Sequence, residues 1–203
     1  MATSLPISIG AGHQKGIFMY RDIVERIEKI QRSRINEIHI RSDNGDTKID
    51  GPSKKCSGMY FFYTSYTMEE LRNGSRAATN SAVPIDDLAR KYGSLDKIHR
   101  PDSDGFHLVY NGIGGYKGKG YDLRSRILQE ISCTHDKTGS LCIRQTKDLN
   151  DVSRWRFSYV SMANSKEDMS AADIVLPWNF AEHGTDIEKA WRFHYGWPLL
   201  CRY

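Results

Sequence analysis

Residues 110–126 read YNGIGGYKGKGYDLRSR, and this stretch joins a predicted strand, 104–111, to a predicted helix, 122–131. The connection, 112–121, contains five glycines and two lysines. Glycine lets backbone N–H groups approach a ligand closely, and it adopts positive φ at little steric cost. Asp122 is a favourable N-cap, and the positive end of the helix dipole that follows it attracts anions. The stretch therefore predicts a site for a phosphate ester, with a solvated hairpin loop as the alternative.

The composition predicts a folded and mildly basic protein. The chain has 203 residues, of which 39% are hydrophobic, and its formal net charge is +4. This length suits one domain with insertions, and the charge is compatible with a nucleic-acid partner. The sequence has no apolar run of about 18 residues, so we expect no membrane partner. The N-terminal segment does not have the pattern of a signal peptide, and we expect a cytoplasmic protein.

Four cysteines are spread along the chain, at positions 56, 133, 142 and 201. Cys133, His135 and Cys142 form part of a zinc-site pattern, but their spacing matches no standard zinc finger. Free thiols are the expected state of cysteines in a cytosolic protein. We therefore predict free thiols, and a zinc site is the alternative.

Periodicity and capping signals predict an α+β fold. Apolar residues recur at helical spacing in some segments and alternate with polar residues in others. The predicted helices are 20–34, 67–73, 84–93, 122–131 and 185–195, and the predicted strands are 35–41, 57–66, 106–110, 140–146 and 155–162. In the strand 106–110, alternation puts Phe106, Leu108 and Tyr110 on one face.

Three motifs follow one another along the chain. GMY occupies 58–60, YNGIG occupies 110–114 with DLRSR after it at 122–126, and Glu188 lies on the last predicted helix with WPLL after it at 197–200. This order resembles the GIY-YIG nuclease superfamily, and the loop lysines make the chain look like its divergent type II restriction-endonuclease branch. The resemblance implies a small central, mostly antiparallel three-stranded sheet flanked by helices within an α+β fold.

The resemblance covers residues 58–201 and divides the chain. Residues 53–203 would form the GIY-YIG-like catalytic domain, with an insertion at about 67–105 between the two strands that carry the motifs. Residues 1–52, an arm with a helix and a hairpin, would be an appendage that contacts DNA. One departure follows the second motif: the family often has His or Tyr four residues after the arginine, and this chain has Glu130, which cannot serve in the same way.

The resemblance implies a divalent cation, Mg²⁺ or Mn²⁺, held by Glu188. Mg²⁺ keeps most of its waters and needs few carboxylates. Thr185 stands three residues before Glu188, so a helix capping box is the alternative role of this glutamate. Arg126 would hold the scissile phosphate, because a forked guanidinium matches phosphate oxygens. Arg124 competes for this role, and the spacing D-L-x-x-R selects Arg126.

The resemblance also implies a tyrosine that deprotonates the attacking water. Tyr110 or Tyr60 would be this base, and Tyr63 competes with Tyr60 for the role. An unperturbed tyrosine has a pKa of about 10. Positive charge from Lys117, Lys119 and the metal would lower that pKa. Either of these two lysines would supplement the phosphate-binding arginine.

The implied function is metal-dependent, sequence-specific hydrolysis of double-stranded DNA by a type II restriction enzyme. Such an enzyme would act as a homodimer, because a two-fold protein matches a palindromic site. A homing or repair nuclease and a non-catalytic nucleic-acid-binding module are the alternatives. Pro101-Asp102 begins a second nuclease pattern, PD…(D/E)xK, but no acidic-x-Lys strand follows at a suitable distance.

Overall fold

The computed structural model describes residues 11–74, 82–93, 104–115, 121–133, 139–164 and 172–201, without the side chains of residues 11–19 and 164. Its helices are α1 (Ala11–Ser33), α2 (Met68–Asn73), α3 (Ile85–Tyr92), α4 (Leu123–Ser132) and α5 (Phe180–Tyr195). Its strands are β1 (Asn36–Ile40), β2 (Thr47–Ile49), β3 (Ser57–Thr64), β4 (His107–Gly114), β5 (Trp155–Asn164) and β6 (Ile174–Leu176). The predicted α+β class is confirmed. None of the described helices has the length and apolar character needed to cross a membrane.

The described strands form a six-stranded sheet. β3 lies between β4 and β5 and pairs antiparallel with both. β1 pairs antiparallel with the start of β5 and carries β2 on its far side, while β6 pairs parallel with the end of β5. The predicted antiparallel character is confirmed. The predicted number of three strands is wrong, because the N-terminal hairpin and β6 also pair along β5.

β3 is buried along nearly its whole length because both faces of the sheet are covered. Side chains alternate between the two faces of a strand. Met59 and Phe61 therefore face one helical layer, and Tyr60 and Phe62 face the other. All four side chains are fully buried.

Helices cover each face of the sheet. α1 and α5 form the first layer, in which Ile27 and Ile187 are fully buried. α4, with α2 and α3, forms the second layer, in which Leu123, Ile127 and Leu71 are fully buried. Full burial of such a side chain stabilises a fold by about 1.5–3 kcal/mol. These buried side chains hold each helix against the sheet.

A β-bulge sets the direction of the side chains in β4. Val109 is an extra residue between the paired positions of Leu108 and Tyr110. Leu108 packs in the α1–α5 layer, whereas Val109 and Tyr110 pack in the α4 layer. The prediction that Phe106, Leu108 and Tyr110 share one face is therefore wrong. The bulge brings Tyr110 to the face of the sheet that carries Tyr60.

The chain crosses the outer edge of β4 after α5. Gly196 ends α5 with φ 106°, a conformation that glycine adopts more readily than other residues. The Leu200 N–H then donates to the Val109 carbonyl at 2.8 Å. Leu199 and Leu200 are buried in the α4 layer. The C-terminal segment thus joins both layers and holds the end of α5 beside β4.

Two helices begin earlier than the sequence predicted. α1 begins at Ala11 rather than at residue 20. α5 begins after the N-cap Asn179, whose side chain accepts a hydrogen bond from the Ala181 N–H at 2.9 Å. The predicted start at Thr185 is therefore wrong. The capping-box role of Glu188 is also wrong, because this residue lies inside the helix.

The predicted strand 140–146 is wrong. This segment forms a 3₁₀ turn, Ile143–Gln145. Leu141 and Ile143 are buried in the α4 layer, which explains the alternation of apolar residues. The Leu141 N–H donates to the carboxylate of Glu130 at 2.7 Å. Short apolar alternations do not by themselves distinguish a strand from a buried turn.

Cys133 and Cys142 form a disulfide that closes the chain after α4. The prediction of free thiols is wrong for this pair and is confirmed for Cys56 and Cys201. A zinc site at the pair is also wrong, because zinc binds thiolates and not the sulfurs of a disulfide. His135, the third residue of that pattern, lies outside the described residues.

Candidate functional site

Tyr60, Arg126 and Glu130 form a hydrogen-bonded cluster between β3 and α4. The Tyr60 hydroxyl donates to Glu130 Oε1 at 2.7 Å. Arg126 Nη2 donates to the Tyr60 oxygen at 3.2 Å and to Glu130 Oε1 at 3.0 Å. Tyr60 and Glu130 are fully buried, whereas the Arg126 side chain keeps 18% of its surface exposed. Arg126 therefore connects a buried polar pair to the protein surface.

The first turn of α4 fixes where this cluster forms. The Asp122 side chain accepts a backbone hydrogen bond from that turn, so its predicted N-cap role is confirmed. A Cβ on Gly114 would lie 2.5 Å from Leu123 Cα, so glycine is needed where β4 approaches α4. Arg126 and Glu130 are four residues apart, and they share one face of the helix.

Glu130 is a buried carboxylate whose known partners are all donors. Tyr60 and Arg126 donate to Oε1, and the Leu141 N–H donates to Oε2. Burial raises the pKa of Glu130, and the Arg126 charge and the hydrogen bonds oppose that rise. A buried ionised carboxylate without partners is very costly. The three donors therefore stabilise the charged form.

Tyr60 and Tyr110 lie side by side, with their ring centroids 6.4 Å apart. Burial, and after it the Glu130 charge, raise the pKa of both tyrosines well above the usual value, while Arg126 lowers it. The predicted lowering of a tyrosine pKa depended on two loop lysines and on a metal, so it stays a prediction. Lys117 and Lys119, which were expected to lower it, lie outside the described residues.

The competing candidates Tyr63 and Arg124 have other contacts. Tyr63 packs in the α1–α5 layer, where its hydroxyl donates to Gln31. Arg124 donates to the Pro52 and Ile49 carbonyls, both at 3.2 Å, and ties the N-terminal hairpin to α4. Their contacts therefore differ from those of Tyr60 and Arg126.

Glu188 lies beside β4 and is paired with an arginine. Glu188 Oε1 accepts from Arg192 Nη2 at 2.7 Å. Arg192 also donates to Asn111, at 2.8 Å to Oδ1 and at 3.2 Å to the carbonyl. Burial raises the pKa of Glu188, and the charges of Arg192 and Arg126 oppose this rise. Glu188 thus lies within the electrostatic reach of Arg126.

The structure therefore brings together four of the six predicted site residues. Arg126 interacts electrostatically with Tyr60, Tyr110 and Glu188. These residues come from four elements of the fold: β3, β4, α4 and α5.

An open pocket of about 600 Å³ adjoins Glu188. Arg192, Phe193 and Trp197 contribute to its wall, and the Arg192 guanidinium lies 5.1 Å from the centre of the Trp197 ring. Phe193 is 92% exposed. Exposed aromatic rings beside cations are suited to stacking on nucleobases.

Glu188 fits a cation that needs few protein ligands. Its Oε2 accepts no hydrogen bond from the described residues, while Oε1 is held by Arg192. The described part of the chain contains no cluster of three or more potential metal-ligating side chains. Mg²⁺ keeps most of its waters and accepts such a site. The neighbouring Arg192 charge would weaken the binding of any cation.

Sequence reasoning missed Glu130, Asn111, Arg192 and Cys201. Glu130 received no role from the resemblance because the family often has His or Tyr at this position. Its position between buried Ile127 and Ile131 was the available signal, because a carboxylate on a buried face needs partners. The other three surround the edge of β4, where Cys201 contacts Asn111 and Arg192.

Gly112→Ala is expected to destabilise the protein, because the Tyr60 phenol lies against this residue. A Cβ at this position would lie 2.4 Å from the Tyr60 hydroxyl oxygen. Overpacking of this kind costs about 1–3 kcal/mol of unfolding free energy. Denaturant unfolding measures the loss.

Gly51→Ala is the matched control for this substitution. The nearest atom to its new Cβ is the end of the Ile49 side chain, at 3.0 Å, and that side chain can move. We expect a smaller loss of stability for Gly51→Ala. Equal stability of Gly112→Ala and the unaltered protein would contradict the packing of Tyr60 against Gly112.

The fold and the site define an α+β protein with a tyrosine–arginine–glutamate cluster beside a second arginine–glutamate pair. Comparison of the chain with known protein families, curated proteins and solved structures found no match.

Proposed function

We propose that the protein is a metal-dependent endodeoxyribonuclease with a GIY-YIG-like site. The observation that carries this proposal is the convergence of Tyr60, Tyr110, Arg126 and Glu188 from separate elements. Tyr60 lies beside Tyr110 and accepts from Arg126, and Arg192 joins Glu188 to the residue that follows Tyr110. Phosphodiester hydrolysis needs an activated water, stabilisation of charge on the phosphate and stabilisation of the leaving oxygen. These four residues supply groups suited to each need.

Arg126 is the proposed phosphate-binding residue. Its Nη2 is used by Tyr60 and Glu130, while its Nε and Nη1 donate no hydrogen bond to the described residues. These N–H groups can bind phosphate oxygens, which guanidinium groups do with directional, charge-assisted hydrogen bonds. The anchored Nη2 keeps the group in one orientation, and positioned donors contribute strongly to transition-state stabilisation.

Glu188 is the proposed ligand for Mg²⁺ or Mn²⁺. A cation bound there supplies Lewis-acid stabilisation of the phosphate and of the leaving oxygen. Glu188 must be ionised to hold it, and the charges of Arg192 and Arg126 favour the ionised form. Arg192 also keeps the carboxylate at the edge of β4.

Tyr110 is the proposed contact for the attacking water. It keeps part of its surface exposed, and its hydroxyl makes no hydrogen bond to the described residues. The Tyr60 hydroxyl, in contrast, is buried and donates to Glu130. Lowering the raised pKa of Tyr110 requires more positive charge than Arg126 supplies, and a cation at Glu188 would add it.

The proposed substrate is double-stranded DNA, and the proposed biological role is that of a type II restriction enzyme acting as a homodimer. The net charge of +4 supports a polyanionic partner. The exposed Phe193 beside Glu188 supports a base contact next to the scissile phosphate.

Digestion of a sequenced plasmid tests this function. Purified protein is incubated with the plasmid and Mg²⁺ at several salt concentrations, because DNA binding weakens as salt rises. We expect discrete fragments whose ends identify the recognition site. Parallel reactions with Mn²⁺ and with EDTA test the requirement for a metal, and EDTA is expected to stop cleavage.

Other outcomes of the digestion contradict parts of the proposal. A smear would contradict sequence specificity while keeping the nuclease activity. Intact DNA with either metal at every salt concentration would refute the nuclease proposal. Retention of the same intact DNA on a gel would then favour a non-catalytic binding module.

A further inference from the structure

We propose that Glu130 is a positioning residue of this site, whose ionised carboxylate anchors the Tyr60 hydroxyl and orients the Arg126 guanidinium toward the substrate phosphate. The inference rests on the proposed nuclease function. It assigns a role to a residue at which the chain departs from the pattern that it resembles.

The contacts of Glu130 with the Arg126 guanidinium and the Leu141 N–H favour its ionised form. Tyr60, Arg126 and the Leu141 N–H all donate to it. A carboxylate only accepts, so it satisfies all three donors, whereas a protonated carboxyl group adds a donor of its own. Loss of one partner from a buried charged network costs more than loss of an exposed contact. Protonation of Glu130 therefore removes the negative charge that attracts the Arg126 guanidinium.

The anchoring has a direct effect on phosphate binding. Arg126 turns its Nη2 inward to Glu130 and Tyr60, and this contact leaves Nε and Nη1 as the groups for a phosphate. Without the Glu130 charge, only the longer contact with the Tyr60 oxygen orients this end of the guanidinium. Misplacing a catalytic group by about 1 Å can cost about 10²-fold in rate.

Four charged or titratable groups surround Glu130. Arg126 of α4 and Tyr60 of β3 contact it, and Tyr110 of β4 and Cys201 of the C-terminal segment interact with it electrostatically. Burial raises the pKa of Glu130, and Arg126 and the Tyr60 hydrogen bond lower it. As the pH falls through this raised pKa, Glu130 gains a proton and Arg126 loses its counter-charge. Cleavage is therefore expected to decline on the acidic side.

Two variants test this role through the pH dependence of kcat/KM on a DNA duplex that carries the cleaved site. Glu130→Gln is expected to lower kcat/KM by about 10²-fold and to remove the part of the acidic decline that comes from Glu130, while the part that comes from protonation of Glu188 remains. Tyr60→Phe is expected to lower it by about tenfold, the value of one hydrogen bond. Tyr60→Phe also removes the Tyr60 hydrogen bond, which lowers the Glu130 pKa. The acidic decline of cleavage is therefore expected to move to higher pH.

Tyr159→Phe is the matched control. Tyr159 is paired with Tyr60 across β3 and β5, and its side chain packs in the same layer. We expect this variant to keep both the rate and the position of the acidic decline. Combining Tyr60→Phe with Glu130→Gln is expected to cost no more than Glu130→Gln alone, because both act through Arg126.

The outcomes separate this inference from the proposed function. If Glu130→Gln does not fold, the shift of the acidic decline in Tyr60→Phe decides the question. An unaltered protein that cleaves, together with an unmoved decline in Tyr60→Phe, overturns the role of Glu130 and leaves the nuclease function standing. Near-normal cleavage by a folded Glu130→Gln variant also overturns the role of Glu130 and leaves the nuclease function standing. A protein that never cleaves DNA refutes the proposed function, and this role falls with it.

Discussion

Glu188→Gln is expected to abolish metal-dependent cleavage while DNA binding persists. Glutamine keeps the size of the side chain and can still accept the hydrogen bond from Arg192, but it brings no negative charge to a cation. A bound metal supplies several kcal/mol of transition-state stabilisation, so kcat/KM should fall about 10³-fold or more. A cleavage assay and a gel-shift assay on one labelled duplex measure the two properties separately.

Asp186→Asn is the matched control for Glu188→Gln. Asp186 lies on the same helix, and its side chain is 60% exposed. We expect this variant to cleave and bind like the unaltered protein. If Glu188→Gln cleaves normally, no metal is held at this residue. If it loses binding and cleavage in parallel with thermal stability, Glu188 acts in folding instead.

Arg126→Lys is expected to reduce kcat/KM by about 10²–10³-fold, the cost of losing one positioned donor group. Lysine keeps the positive charge beside Glu130, so the fold should persist. It lacks the planar fork, and it cannot donate to Glu130, to Tyr60 and to a phosphate in the same arrangement. Steady-state cleavage kinetics measure the loss, and thermal unfolding confirms that the variant is folded.

Arg124→Lys separates phosphate binding from a general effect on α4. Arg124 is two residues away and donates to the carbonyls of Pro52 and Ile49, so its replacement should lower stability more than activity. A larger loss of kcat/KM in Arg124→Lys than in Arg126→Lys would reverse the assignment of the phosphate-binding arginine. Equal activity of Arg126→Lys and the unaltered protein would exclude Arg126 from the reaction.

The path of the C-terminal segment across the edge of β4 sets the position of the candidate site. α5 packs on one face of the sheet, whereas Leu199 and Leu200 are buried on the other. The chain crosses the edge of β4 between them, where Arg192 reaches Asn111. Glu188 is thereby held beside the strand that carries Tyr110. A carboxylate from the first layer thus comes within electrostatic reach of Arg126 in the second.

Much of the fold could be predicted because its signals are local. The capping box at Thr67, the N-cap Asp122 and the glycine stop at Gly196 all act within one or two turns of the chain. The aromatic run 57–66 predicted a strand, and β3 occupies Ser57–Thr64 within it. Predictions failed where apolar residues pack in a turn, as in 140–146, or where a distant strand joins the sheet.

The sequence by itself determined the α+β class and the order of most helices and strands. It also determined the placing of Arg126 and Glu130 on one face of α4, because these features depend on neighbours within a few residues. Only the tertiary structure decided the bulge at Val109, which turns Tyr110 toward Tyr60, and the pairing of Tyr60 with Glu130, which are 70 residues apart. The physical reason is that register and burial are set by contacts between distant segments. The helical pattern places Glu130 beside Ile127 and Ile131, but the donors that satisfy its carboxylate come together only when those segments meet.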